Sequence, residues 1–144
     1  MSNNQFKRGE LYSVINGVAS TAVARRLQKN FRNAGLEITI EQWSILYHLW
    51  KEDGLSQQEL CTRTFRDKAS ITRLIDNIEK LGLVERIASK DDRRVNLVYL
   101  TDAAKPLQEA TYNIANQTMN EALQGISKEE IEIVKSVFQR VYEN

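Results

Sequence analysis

"DKASITRLIDNIEKLGLVERIASKDDRRVNLVYLT" spans Asp67–Thr101, and its reading decides the fold. The first half repeats with a helical period. Ile71, Leu74, Ile75, Ile78 and Leu81 stand at i, i+3, i+4, i+7 and i+10. At 100° per residue they cover an arc of about 120°, which is one apolar stripe. Asp67 is a suitable N-cap, and Gly82 closes the helix. The second half changes period. Val84–Ala88 and Val95–Leu100 read as strands, joined by the six-residue loop Ser89–Arg94 into a hairpin. A helix at 68–81 followed at once by a hairpin is half of a winged helix.

The other half lies upstream. Ser56 followed by Glu59 fits a capping box, in which the hydroxyl and the third helical side chain satisfy each other's free N–H groups. That predicts a helix over 57–65, one tight turn before the next, which is the helix-turn-helix pattern. Thr39 with Gln42 and Ser127 with Glu130 repeat the device and predict helices over 40–51 and 128–142. Each box carries a hydrophobic staple: Ile38 with Trp43, Leu55 with Leu60, Ile126 with Ile131. Residues 9–34 read as one long helix through Leu11, Ile15, Val18, Ala22 and Phe31. Gly17 inside it predicts a kink or a close packing contact, and Gly35 ends it. Thr101 is expected to cap a last long helix to about residue 125, with an irregular start at Pro106. The fold class is therefore mainly α with a small β-hairpin: a winged helix-turn-helix flanked by long N- and C-terminal helices.

Length and composition agree with one domain over 1–144, since 144 residues can bury a real core. No apolar run reaches about 18 residues, so no membrane span is expected. No charged patch followed by an apolar run opens the sequence, so no signal peptide is expected and a cytoplasmic location follows. The net charge of +1 points to no partner, but its distribution does. Residues 1–35 carry 6 basic and 1 acidic residues, and residues 61–94 carry 9 and 6. Residues 36–60 carry 1 and 5, and residues 95–144 carry 4 and 7. Positive charge is thus concentrated in the first helix and in the winged-helix segment.

On the helix over 68–81, Ala69, Thr72, Arg73, Asp76 and Lys80 lie opposite the apolar stripe. Lys68, Ala69, Ser70, Thr72 and Arg73 cluster at its start. Arg can bond guanine bidentately, hydroxyls can meet bases or phosphates, and the Thr methyl can meet that of thymine. The helix N-terminus adds N–H groups for phosphate. At the hairpin tip, Asp91, Asp92, Arg93 and Arg94 stand together. An Arg on a narrow loop can enter a minor groove, and an adjacent carboxylate can hold its guanidinium. Arg86 is a second candidate to pair with an acid of the tip. The bland alternatives are a solvated helix face and a surface charge cluster of little energetic weight.

Little points to catalysis. With one His and one Cys there is no His–Cys metal cluster, and no Gly-rich phosphate loop is present. No enzyme, cofactor or metal site is expected. His48 sits among Leu46, Tyr47, Leu49 and Trp50 and reads as structural. Cys61 reads as a small core residue, with a thiol switch as the alternative.

The stretch Asp67–Thr101 resembles the recognition helix and wing of the MarR family of transcription regulators. "LGLVER" (Leu81–Arg86) and "DRR…LVYLT" (Asp92–Thr101) are the most specific pieces, and the order of flanking helices agrees over nearly the whole chain. The resemblance implies a homodimer held by the helices at 9–34 and 102–142, with a DNA-binding lobe over 40–100. It implies a pseudo-palindromic double-stranded operator and a repressor whose affinity a small, often aromatic, ligand lowers. DNA contacts would come from Lys68, Ala69, Ser70, Thr72, Arg73, Asp92, Arg93 and Arg94. Within the wing, Arg94 would enter the minor groove, aimed by Asp92, while Arg93 meets phosphate. Tyr12, Ile15, Trp43, Tyr47 and Tyr112 would line a ligand space between the dimer helices and the lobe, or else belong to the core. Two departures stand out. "TDAAKP" lacks the Gly found there in many members, and the first helix lacks the Cys that peroxide-sensing members use. A winged helix that binds protein and no operator remains the reading from another class.

Overall fold

A computed structural model describes residues 8–144 of the chain. In order they form α1 (Arg8–Asn16), α2 (Val18–Asn33), α3 (Ile40–Lys51), β1 (Leu55–Ser56), α4 (Gln57–Thr64), α5 (Lys68–Lys80), β2 (Val84–Ala88) and β3 (Asn96–Leu100). A one-turn 3-10 helix (Asp102–Ala104), α6 (Lys105–Ala122) and α7 (Lys128–Glu143) follow. None of these helices is long and apolar enough to cross a membrane.

All three capping boxes are formed. The N–H of Gln42 donates to Thr39 Oγ1 at 3.1 Å, and that of Thr39 donates to Gln42 Oε1 at 3.0 Å. The pairs Ser56–Glu59 and Ser127–Glu130 repeat this at 3.1 and 2.8 Å each. At the start of α5, Asp67 takes the N–H of Ser70 at 2.7 Å and its hydroxyl at 3.2 Å. The Ser70 N–H holds the Asp67 carboxyl below its ordinary range, and the hydroxyl adds to this.

Gly17 divides the expected single helix, and the kink is the correct alternative. Its backbone leaves the helical region (φ −160, ψ −51). Its N–H still reaches Ser13 O at 3.0 Å, and its carbonyl accepts from Thr21 at 2.8 Å. A Cβ there would meet nothing nearer than Ser13 O at 3.9 Å, so close packing is not the reason for the glycine.

The hairpin is part of a three-stranded antiparallel sheet in the order β1-β3-β2. Val84 pairs with Leu100 at one end and Ala88 with Asn96 at the other. β1 pairs Leu55 with Val98 and Ser56 with Leu97. A two-residue strand leaves no periodic signature and was not expected from sequence. Thr101 does not cap the following helix with its side chain. Its hydroxyl donates to Gly82 O at 2.6 Å and its N–H to Leu83 O at 3.0 Å. Closing the base of the hairpin takes both groups, and helical geometry begins as a 3-10 turn instead.

One core serves the lobe. Phe31, Ile45, Leu46, Leu49, Leu60, Ile71, Ile75, Ile78 and Val98 are fully enclosed in one cluster. Leu81, the last residue of the predicted stripe, is half exposed at the C-cap of α5. Gln28 ties α2 to the lobe: its amide donates to Ile38 O and accepts from Ile40 N–H, both at 3.0 Å. α2 also packs on α6, where Asn30 donates to Thr118 Oγ1 at 2.8 Å. α7 buries no residue. Ile133, Val134, Val137, Phe138 and Val141 stand exposed along it, as do Leu11, Tyr12, Val14 and Ile15 on α1.

Candidate nucleic-acid interface

α5 buries Ile71, Ile75 and Ile78 and turns its other side outward. Lys68, Ala69 and Arg73 are exposed, while Ser70 and Thr72 are half-buried. Ser70 is engaged by Asp67, so its hydroxyl proton is already committed. Thr72 Oγ1 accepts from Gln57 Nε2 at 3.2 Å. Asp76, expected on the free outer face, is instead tied into an ion pair with Arg86.

The wing tip is exposed from Lys90 to Asn96. The Ser89 N–H reaches Val95 O at 2.8 Å, and the Val95 N–H reaches Asp92 O at 3.0 Å. The Asp91 N–H donates to Ser89 Oγ at 3.3 Å. The expected Asp92–Arg94 fork is not formed. Asp92 Oδ1 accepts the backbone N–H of Arg94 at 3.0 Å. A short carboxylate two residues upstream reaches the backbone more readily than the end of an Arg side chain, and this is an Asx-turn. Asp92 therefore shapes the loop backbone, and the Arg94 guanidinium forms no ion pair among the described residues.

Arg86 departs from expectation too. It pairs with no acid of the tip among the described residues. Its guanidinium reaches Asp76 at 2.6 Å and Glu79 at 3.1 Å on α5. These acids lie against the face of β2, whereas the tip lies beyond the strand's end. A helix whose i and i+3 acids face a strand-borne Arg is a signal that the sequence contains, but only tertiary packing brings the three together.

Lys68, Arg73, Lys90, Arg93 and Arg94 form no ion pair among the described residues. Lys68 and Arg94 share a recess of ≈ 320 Å³ with Gln57, Gln58 and Asn96, which brings the start of α5 and the wing tip to one side of the lobe. Cys61 reaches the same recess but is only 8% exposed.

The five ligand-space residues divide. Trp43, Tyr47 and Tyr112 form a chain of rings, with centroids 5.6 and 5.9 Å apart. Phe31 meets Trp43 edge-on, and Trp50 does the same to Tyr112, each at 5.9 Å. Lys51 Nζ lies 4.3 Å from the centre of the Tyr47 ring. Trp43 Nε1 is buried with no acceptor among the described residues. Tyr12 lies apart on α1, along a shallow recess with Asn16, Gly17 and Arg25, and Ile15 is half exposed on the same helix.

Comparison with known proteins gives concordant results. The family model of the MarR family matches residues 35–95. A solved probable transcriptional regulator from Pseudomonas aeruginosa is 30% identical, covers 83% of this chain and 91% of its own, and superposes with a TM-score of 0.73. A MarR transcriptional regulator from Methanosarcina mazei Go1 is 23% identical over 94% of each chain, with a TM-score of 0.78. A MarR mutant from E. coli, solved in complex with operator DNA, is 22% identical over 92% of this chain and 91% of its own, with a TM-score of 0.81.

Proposed function

The chain belongs to the MarR family, and on that premise we propose that it is a sequence-specific, double-stranded DNA-binding transcriptional regulator acting as a homodimer. One observation carries the reading. Five cations that form no ion pair among the described residues lie at the start of α5 and on the wing tip, while the acids of α5 are held by Arg86. α5 would lie in the major groove, with Arg73 and Thr72 at base edges and Lys68, Ala69 and Ser70 near the backbone. Arg94 would probe the minor groove and Arg93 a phosphate, with Asp92 setting the turn that presents both.

The exposed apolar rows of α1 and α7 support a dimer, because a monomer would leave them in water. Helices at 9–34 and 102–142 would form this frame around a reading lobe at 40–100. Two-fold symmetry then asks for a pseudo-palindrome with half-sites about one turn apart. Repression relieved by a small aromatic ligand is the regulatory mode we propose. The ring chain of Trp43, Tyr47 and Tyr112, with a buried N–H that finds no acceptor among the described residues, supports such a space. Tyr12 and Ile15 would join it only in the dimer. The burial of Cys61 disfavours a thiol switch.

The test is fluorescence anisotropy with random duplex DNA at rising salt. Binding at low salt that weakens steeply supports the reading, because each phosphate contact releases counterions. No binding at low salt favours the protein-contact alternative.

A further inference from the structure

We infer that Arg86 is a positioning residue that sets DNA specificity by locking the recognition helix to the wing, without itself reaching a base. The inference rests on the DNA-binding reading above.

Arg86 lies on β2 with its side chain only 17% exposed. Its Nε donates to Gln57 Oε1 at 3.2 Å. One terminal nitrogen donates to Asp76 Oδ1 at 2.6 Å and to the Thr72 carbonyl at 3.3 Å. The other donates to Glu79 Oε1 at 3.1 Å, while the backbone N–H of Arg86 donates to Glu79 Oε2 at 3.2 Å. Arg86 therefore ties three elements together: its guanidinium grips the first residue of α4 and two turns of α5 at i, i+4 and i+7, and its backbone N–H adds a bond from its own strand β2. That strand runs directly into the tip that carries Arg94.

Three consequences for reading DNA follow. The angle between α5 and the wing is fixed by a planar fork with five donors, which a Lys with its single flexible ammonium cannot reproduce. Asp76 and Glu79, each more than 40% exposed, would otherwise repel phosphates, and Arg86 offsets both. Gln57, held by Arg86, donates to Thr72 Oγ1 and so restricts the directions in which that hydroxyl can meet a base.

The experiment uses the intact protein and two probes. One is the duplex that the wild type selects from a randomised pool of about two helical turns. The other is the unselected pool. Arg86→Lys keeps the charge, so pool affinity at low salt should stay within about a factor of two. The ratio of selected-duplex to pool affinity should fall about tenfold, the scale of one misread base pair. An unchanged ratio in a variant with the wild-type circular dichroism spectrum and Tm overturns the inference. If that variant does not fold, Asp76→Asn provides the second arm. It removes one grip and one exposed acid, so pool affinity should rise while the ratio falls; a preserved ratio overturns the inference. Failure of the wild type to bind the pool at low salt overturns the DNA reading and this inference together.

Discussion

The winged lobe and the terminal helices are built by the same local rules but finish differently. In the lobe, the staple residues Leu55 and Leu60 are buried, as is Ile38, and the stripe of α5 is closed over by α3, α4 and the sheet. In α7, the capping box is just as well formed, yet Ile126 is half exposed and no residue of the helix is buried. Local signals thus specify where a helix starts, not whether one chain can cover it. The core of the lobe is closed within the chain, whereas α1 and α7 leave apolar rows exposed, which the proposed dimer would cover. Tyr142 of α7 meets Phe65 of the lobe edge-on at 5.9 Å. Phe65 closes α4 in the left-handed region (φ 54), an unusual place for a bulky side chain.

The contrast can be broken most forcefully from the α7 side. Val134→Asp combined with Val137→Asp should convert the proposed dimer to a monomer in light scattering. Each Val that the proposed interface would bury contributes about 1.5 kcal/mol or more, and both protomers would carry the change. The lobe should keep its hydrogen-exchange protection; an unchanged mass would show that α7 is not in the interface. From the lobe side, Ile75→Ala should cost about 2–5 kcal/mol in chemical denaturation, because it empties an enclosed position. A loss below that range would mean that the lobe core is less complete than its burial suggests.

Smaller changes sharpen the contrast. Thr39→Ala removes a cap that starts the lobe, and Ser127→Ala removes the equivalent cap of α7. Each should cost about 1 kcal/mol, with only the second cost depending on protein concentration. The smallest effect concerns pH. Burial, with Arg63 and then Lys51 nearby, lowers the pKa of His48 below 6.5. The unfolded chain therefore binds this proton first, and stability should decline as pH falls from 6.5 toward the lowered value. His48→Gln should flatten that decline in urea titrations across the window.

The sequence was most informative where structure is local. The capping boxes placed α3, α4 and α7 to within a residue or two, and the change of period at Gly82 placed the hairpin. What stayed hidden depends on contacts distant in the chain. β1 is two residues long and exists only because β3 lies beside it. The Arg86 network joins residues 57, 72, 76, 79 and 86, so Asp76 read as a free outer residue. Asp92 was expected to hold the Arg94 guanidinium and holds the Arg94 backbone N–H instead, because a short acid can serve either a guanidinium or its own loop. Tyr12 and Ile15 lie on α1 away from the ring chain within one chain, and only the proposed dimer would bring them to it.

The most direct test of the central claim compares the wild type and Arg94→Ala on a duplex selected by the wild type, across a salt series. The account predicts tight binding that weakens steeply with salt, a loss of about 1–3 kcal/mol in the variant, and a reduced preference for A·T tracts. Equal affinity and equal A·T preference in the two proteins would contradict the assignment of the wing to DNA.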